Sequence, residues 1–270
     1  MAKQRLDLAM VNEGLAESRE KAKALIMAGQ VKVDGKIIDK PGTNISEGLR
    51  IELIGPILPF VSRGGLKLAK AITTFDIDLN NKVIADIGAS TGGFTDCALQ
   101  NGARKVYAID VGYGQLDWKL RNDPRVVNME RTNARYLKAS DLAEQVDFIS
   151  IDVAFISLEK ILPVTLEILK DNGEIIALIK PQFEAGKEKI GKKGVVRDPK
   201  IHLEVITRIL NYVQSLNFIV RGLTYSPIKG PEGNIEYLLW LSNNKQLESL
   251  YEGNLNLKMI VEQAHSALKG

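Results

Sequence analysis

Hydrophobic residues in this chain change period along its length, and the changes mark its elements. Between residues 5 and 12, Leu6, Ala9 and Met10 recur at helical spacing, and Gly14 closes that helix. Ser18 caps a second helix that turns Ala22, Leu25 and Ile26 inward and stops at Gly29. The period then shortens to two at Val31, Lys32 and Val33. Asp34-Gly35 supplies a two-residue hairpin turn toward Ile37 and Ile38, and a further strand, Leu49 to Ile54, ends at Gly55-Pro56. This predicts a small α+β module over residues 1–60, followed by a stiff linker, 61–64, approached through Pro56 and Pro59.

From residue 65 to 270 the pattern alternates strand and helix. A helix from about Leu66 to Phe75 precedes a buried strand from Val83, and a helix starts near Thr95. Strands follow at Val106 to Asp110 and Val126 to Asn128, then a helix near Asp141 and a strand at Phe148 to Asp152. Helix Leu158 to Leu169, strand Ile175 to Ile179, helix Pro199 to Leu216, and strands Phe218 to Tyr225 and Ile235 to Leu241 come next. A terminal helix, Leu255 to Leu268, carries Leu257, Ile260, Val261, Ala264 and Leu268 on one stripe. Such alternation predicts an α/β fold with a doubly wound, mostly parallel sheet. Ligands of such sheets sit beyond the carboxyl ends of the strands, where Asp86, Asp110, Asp152 and Lys180 fall.

The strand at Val83 runs into D-I-G-A-S-T-G-G-F-T-D, residues 86–96. Gly88, Gly92 and Gly93 let backbone approach a ligand where a Cβ would clash, and the following helix offers free N–H groups. Asp110, closing the next strand, is placed to accept hydrogen bonds from two ribose hydroxyls. A dinucleotide pyrophosphate is seated by G-x-G-x-x-G, whereas this run is G-x-x-x-G-G, and Asp86 would repel a diphosphate but suit a cation. S-adenosyl-L-methionine therefore fits better than NAD. Ser90 and Phe94 join the glycines around its methionine part, and Asn133 lies toward the adenine.

Composition narrows the picture. The chain has 270 residues, 36 Lys+Arg against 33 Asp+Glu, a net +3 that by itself names no partner. A single cysteine, Cys97, excludes an intrachain disulfide and reads as a small buried hydrophobe. His202 and His265 lie far apart in sequence with no acidic or thiol cluster beside them, which predicts no structural metal. The first residues lack the apolar core of a signal peptide, and no apolar run approaches the roughly 18 residues of a membrane span. The expectation is a soluble cytoplasmic protein, with a monomer favoured.

The pattern S-R-x-x-A-x-x-L-I-x-x-G-x-V-x-V-D-G at residues 18–35 resembles the S4 RNA-binding domain. Arg19 and Lys23 are four apart on one helix and Lys32 and Lys36 lie on the adjoining hairpin, a candidate shelf for RNA phosphates, with Arg5 and Arg63 added at its borders. Charge alone is weak support, since residues 1–64 hold 10 Lys+Arg and 8 Asp+Glu.

Further landmarks are S-R-G-G-L-K-L at 62–68, I-D-V-A-F-I-S-L at 151–158 and L-I-K-P-Q-F-E at 178–184. K-G-V-V-R-D at 193–198 and G-P-E-G-N-I-E-Y at 230–237 complete the series. With the glycine turn they resemble the TlyA, or haemolysin A, family, whose members join an S4 domain to an FtsJ-like methyltransferase domain. That resemblance implies a Rossmann-like class I methyltransferase domain acting on ribose 2′-hydroxyls of ribosomal RNA, with cytidine as target in 16S or 23S rRNA. It also implies a Lys-Asp-Lys-Glu tetrad, which falls on Lys67, Asp152, Lys180 and Glu236. Val153-Ala154 departs from the expected pattern beside Asp152.

A ribose hydroxyl is a poor nucleophile at neutral pH, so the enzyme must orient it and handle its proton. Lys180 is expected at the hydroxyl, as base or as stabiliser of negative charge. A base role requires its pKa to fall from about 10.4 toward neutrality, worth roughly 4 kcal/mol. Lys67 could supply that from about 4 Å at an effective dielectric near 20, whereas Asp152 and Glu236 oppose it. Phe155 and Phe183 follow reactive strand ends and suit either stacking on an exposed base or core packing. The segment Ala185 to Lys200 carries six Lys+Arg and two Asp+Glu, and Lys187, Lys189, Lys192 and Lys193 make it a candidate RNA clamp. Two other readings stand beside this one. A membrane-acting haemolysin requires a spanning or strongly amphipathic exposed segment, and an RNA-binding protein with an inert Rossmann-like half requires a broken tetrad.

Overall fold

The computed structural model describes residues 3–27, 29–54, 59–191, 194–252 and 255–269. The chain divides into two compact units, Met1–Arg63 and Gly64–Gly270. The first runs β1 (Lys3–Arg5), α1 (Leu6–Asn12), α2 (Arg19–Met27), β2 (Val31–Val33), β3 (Lys36–Ile37), β4 (Asn44–Ser46) and β5 (Ile51–Leu53). β2 and β3 form the hairpin expected from Asp34-Gly35. Val33 pairs with Lys36, and both turn residues have positive φ, 48° and 78°. β5 joins the other edge of β2, and β1 pairs with β4 in a separate two-stranded ladder. β1 and β4 were not legible in the sequence, because three residues each carry no alternation to read. Leu6, Ala9, Met10, Ala22, Ile26 and Val31 are fully enclosed and form the core of the unit.

Among the described residues of this unit, one charged side chain is buried. Asp7 is fully buried in the first turn of α1 and accepts hydrogen bonds from Arg5 Nε and Nη2, both at 3.0 Å, and from Arg19 Nε at 2.9 Å. The two arginines expected to face phosphate thus spend part of their donor capacity holding this carboxylate. Lys23 and Lys32 are half-buried, while Lys36 and Arg63 are exposed.

The second unit places α3 (Gly64–Phe75), β6 (Val83–Ile87), α4 (Gly93–Gln100), β7 (Lys105–Ile109), α5 (Trp118–Arg121), β8 (Val126–Met129) and β9 (Val146–Ile151) in order. It continues with α6 (Leu162–Ile168), β10 (Leu169–Ile179), α7 (Pro181–Glu184), α8 (Pro199–Ser215), β11 (Ile219–Tyr225), β12 (Tyr237–Ser242) and α9 (Leu257–Ala267). The seven strands form one sheet in the order β11-β12-β10-β9-β6-β7-β8. Only β12 runs against the others, inserted between β10 and β11. All five residues of β6 are buried, as a central parallel strand requires. Two expectations need correction. The helix near Asp141 is a single 3-10 turn, Ala139–Asp141, and residues 158–169 break into a 3-10 turn, Leu158–Lys160, and the shorter α6. Pro163 explains the break, since its ring fits only the first turn of a helix.

The chain leaves β6 outward to β7 and β8 and returns on the other side at β9, so a crevice opens at the carboxyl ends of β6 and β9. Gly88 makes this approach possible. Its φ is +87°, and a Cβ there would lie 2.5 Å from the Asp152 carbonyl oxygen.

The Asp7 carboxyl lies well below its usual 3.8, because hydrogen bonds from Arg5, with help from Arg19, outweigh burial. Folding is therefore favoured by the full interaction above 3.8 and loses it as pH falls toward the folded value. Hydrogen-exchange protection of residues 6–12 is expected to decline as pH drops below 3.8, and Asp7→Asn is expected to flatten that decline while lowering protection at neutral pH.

Candidate active site

Four elements deliver one charged side chain each to the crevice. Lys67 comes from the first turns of α3, Asp152 follows β9, Lys180 follows β10, and Glu236 precedes β12. The antiparallel course of β12 is what brings Glu236 here. Tyr237 pairs with Ile179, so the residue before β12 stands beside the residue after β10. The charges alternate. Lys180 Nζ is 2.5 Å from Asp152 Oδ1, Lys67 Nζ is 3.3 Å from Asp152 Oδ2, and Lys67 Nζ is 2.7 Å from Glu236 Oε2. Gln182 Nε2 donates to Glu236 Oε1 at 3.4 Å. Glu236 is almost fully enclosed, whereas Lys180 and Asp152 keep some access to solvent.

Burial disfavours charge on Lys67 and on Asp152, yet the arrangement reverses that at both. Burial pulls the Lys67 ammonium down, but Asp152 and Glu236 together hold its pKa above the ordinary value. Burial pushes Asp152 up, but Lys67 and Lys180 outweigh it and hold the carboxyl below the ordinary value. Lys67 thus meets Lys180 through Asp152, one lysine on each carboxylate oxygen. That leaves Lys67 tied to two anions rather than acting on Lys180 as a bare second cation.

The glycine turn lies beside this group. Gly88 N–H and Ala89 N–H donate to the Ile109 carbonyl, at 2.8 and 3.1 Å, fastening the turn to the end of β7. Asp110 accepts Ser90 N–H at 2.8 Å on Oδ2 and Gly112 N–H at 2.7 Å on Oδ1. Each oxygen keeps a second lone pair, and the residue is only half-buried, so hydroxyl donors can still reach it. Ser90 is exposed, with φ 50°. Gly92, Gly93 and Phe94 are buried, and Leu116 and Leu120 pack so closely over Gly92 that a Cβ would lie 2.2 Å from Leu120 Cδ1. Asp86 lies beneath the turn, accepting Thr95 Oγ1–H at 2.7 Å and Ser150 Oγ–H at 2.9 Å. Burial raises its pKa to about 6, against the two hydroxyl donors. In this structure Asp86 ties α4 and β9 to β6. Asn133 is exposed and caps a 3-10 turn by accepting Arg135 N–H at 3.1 Å. An open hollow of about 480 Å³ adjoins it, lined by Met129, Arg131, Thr132, Tyr136 and Asp141.

The remaining candidates divide. Phe155 is 90 % exposed, holds a φ of 62°, and its ring lies 5.0 Å from that of Phe183, whose ring faces Lys180 Nζ at 5.8 Å. In the basic segment Lys189 is ion-paired to Glu204 of α8, and Lys187 opens a 3-10 turn. Lys192 and Lys193 lie outside the described residues. The two histidines meet in space. Although 63 positions apart, His202 and His265 approach to 3.3 Å between ring nitrogens, and His202 also meets Tyr237 Oη at 2.7 Å. No group of three metal-ligating side chains occurs among the described residues. Cys97 is buried and its thiol is pushed up to about 12, chiefly by burial. Sequence reasoning also missed exposed aromatics between β7 and β8, where Tyr113 stacks on Arg131 at 4.1 Å and Trp118 stands free of the core.

A mostly parallel seven-stranded sheet with one reversed strand near its edge and helices flanking it is the architecture of an FtsJ-like methyltransferase domain. The FtsJ-like methyltransferase model matches residues 60–243, and the S4 domain model matches residues 4–51. The chain belongs to the TlyA family of FtsJ-like methyltransferases that carry an S4 domain. A Bacillus subtilis protein named as a candidate rRNA methyltransferase, YqxC, is 51% identical, covering 99% of this chain and 96% of its own. The Mycobacterium tuberculosis 16S/23S rRNA (cytidine-2′-O)-methyltransferase TlyA is 44% identical, covering 88% and 89%. The structure of a candidate hemolysin from Streptococcus thermophilus is 47% identical and superposes with a TM-score of 0.79, covering 100% and 98%. Among the described residues no helix is long and apolar enough to cross a membrane.

The Gly88 contact gives a direct check. Gly88→Ala must displace the Asp152 backbone or leave the left-handed region, and is expected to cost about 2 kcal/mol or more in urea unfolding.

Proposed function

We propose that this protein transfers a methyl group from S-adenosyl-L-methionine to a ribose 2′-hydroxyl of ribosomal RNA, with cytidine as the modified nucleotide, in the cytoplasm. The observation that carries the reading is the alternating Lys180–Asp152–Lys67–Glu236 chain at the mouth of a crevice floored by the glycine turn. The residues fit the methyl donor. The turn is closed by glycine at positions where a Cβ would collide, and Asp110 is oriented by two backbone N–H groups while keeping lone pairs for a ribose. When bound, S-adenosyl-L-methionine supplies an electrophilic methyl group whose sulfur leaves as a neutral thioether. Gly88, Ser90 and Asp110 hold it, with Asn133 toward the adenine.

The protein's own part is orientation and charge. Lys180, ion-paired to Asp152, acts as an ammonium that hydrogen-bonds the 2′-oxygen and stabilises negative charge there. The hydroxyl proton becomes acidic as the new C–O bond forms and departs to water at the mouth. Asp152 aims Lys180, and Lys67 with Glu236 keeps Asp152 ionised and in place. Phe155 offers an exposed ring beside the mouth on which the target base stacks once it leaves its helix. Residues 1–60 act as the RNA-docking module, joined by residues 61–64 to the catalytic domain, 65–270. Arg5, Arg19, Lys23, Lys32, Lys36 and Arg63 contact the RNA backbone there, and Lys187, Lys189, Lys192 and Lys193 serve as a second set of RNA contacts. The protein works as a monomer.

Transfer of labelled methyl to purified ribosomal subunits, with mass-spectrometric mapping of ribose methylation, tests this directly. Label is expected in one or a few cytidines, and Lys180→Ala is expected to lower kcat about a hundredfold or more. Label entering as fast with Lys180→Ala would defeat the assigned role. Phe155→Ala is expected to raise KM for the ribosomal substrate about tenfold, as loss of one stacked base implies, with the affinity for S-adenosyl-L-methionine unchanged.

A further inference from the structure

The loops that carry Asp152 and Lys180 have to keep those two groups in register, and the motif L-I-K-P-Q-F-E ends in a glutamate the mechanism has not used. β9 and β10 are parallel neighbours, with Ile151 paired to Ala177, so the segments that follow them leave the sheet side by side. The first, residues 152–157, has no regular structure and contains the left-handed Phe155. The second is α7, only four residues long, with Lys180 at its N-cap and Phe183 within it. Neither segment has enough internal hydrogen bonding to fix its own position.

Glu184, at the end of α7, is 5% exposed and reaches across to the first segment. Its Oε1 accepts Leu158 N–H at 2.7 Å and its Oε2 accepts Ser157 Oγ–H at 2.7 Å. Arg208 of α8 donates from Nη2 to Glu184 Oε2 at 2.9 Å and to the Glu184 carbonyl at 2.8 Å, while its Nε lies 3.3 Å from Glu159 Oε1. Burial pushes the Glu184 pKa up, and the Leu158, Ser157 and Arg208 donors oppose that rise. Of the ties between the two segments, Lys180–Asp152 belongs to groups that must respond to substrate, and Phe155–Phe183 is a contact of a largely exposed ring. The tie through Glu184 is buried and takes no part in the chemistry.

We propose that Glu184 is a positioning residue for the transfer reaction. Bolted to α8 by Arg208, it holds the Asp152–Ser157 segment against α7 and so sets both the Lys180–Asp152 spacing and the place of the Phe155 ring. The proposal rests on the methyl-transfer reading and extends it to a residue that touches no substrate.

Glu184→Gln keeps an acceptor for Leu158 N–H but turns an amide NH₂ toward Ser157 and Arg208. It is expected to lower kcat about tenfold to a hundredfold, the cost of a small misplacement of reacting groups, with S-adenosyl-L-methionine affinity within about twofold of wild type. KM for ribosomal subunits is expected to rise several-fold, and that rise is expected to vanish in a Phe155→Ala background, while the kcat loss persists. A role limited to stability would lower the urea midpoint and leave these kinetic constants unmoved. Ser157→Ala removes one donor with little risk to folding and is expected to shift kcat several-fold in the same direction. Folded variants with wild-type kcat would overturn the proposal while leaving the reaction intact. A wild-type protein that methylates no ribosomal RNA would instead remove the reading on which it rests.

Discussion

Everything at the crevice depends on one carboxylate that is largely withdrawn from water and still ionised. Removing a carboxylate from water costs several kcal/mol unless opposite charge and hydrogen bonds replace the solvent. Asp152 has two lysines, one on each oxygen, and its pKa falls below the ordinary value in spite of burial. The requirement propagates outward. Lys67 must be carried in by α3, Lys180 must end β10, and Lys67 needs Glu236 because a single carboxylate shared between two ammonium groups leaves one positive charge over. Four elements from distant parts of the sequence are therefore held to one place by a balance of charge.

Asp86 shows what the same burial does without cations. It sits on β6, with Ser150 of β9 paired across from it, and its donors are the hydroxyls of Thr95 and Ser150. Neutral donors do not offset desolvation, and its pKa rises to about 6. The consequence is mechanical rather than catalytic. Asp86 fastens the start of α4 and the end of β9 to the central strand from below, while Asp110 gathers Ser90 and Gly112 from above. The turn between them is held by the protein's own hydrogen bonds, which lowers the entropy a ligand would have to offset in ordering it.

Much of this was legible in the sequence because doubly buried strands announce themselves as apolar runs and their ends carry the chemistry. The hairpin at Asp34-Gly35 was legible for a similar reason, since few residue pairs tolerate two positive φ values. What could not be read is what depends on distance in space. Nothing in the spacing of Arg5, Asp7 and Arg19 shows that one buried carboxylate takes donors from both guanidinium groups, so that two expected phosphate contacts also belong to an internal ion pair. His202 and His265 read as unrelated and pack ring against ring. Phe155 could be read as stacking surface or core, and only its exposure and its left-handed backbone separate the two.

The direction of β12 is the last step that the sequence hides. In a parallel sheet every strand presents its final residues at the ligand edge, so chemistry is sought after each strand, as with Asp110, Asp152 and Lys180. A reversed strand presents its first residues there instead. Glu236 precedes β12, and only the antiparallel pairing of Tyr237 with Ile179 sets it beside Lys180 and within reach of Lys67. The Gly230 backbone closes around it, leaving 2.7 Å between Glu236 Oε1 and the place a Cβ would take. A carboxylate ahead of a strand thus reaches the same edge of the sheet as three residues behind theirs, and the reversal of one strand is what brings the fourth charge to Lys67, Asp152 and Lys180.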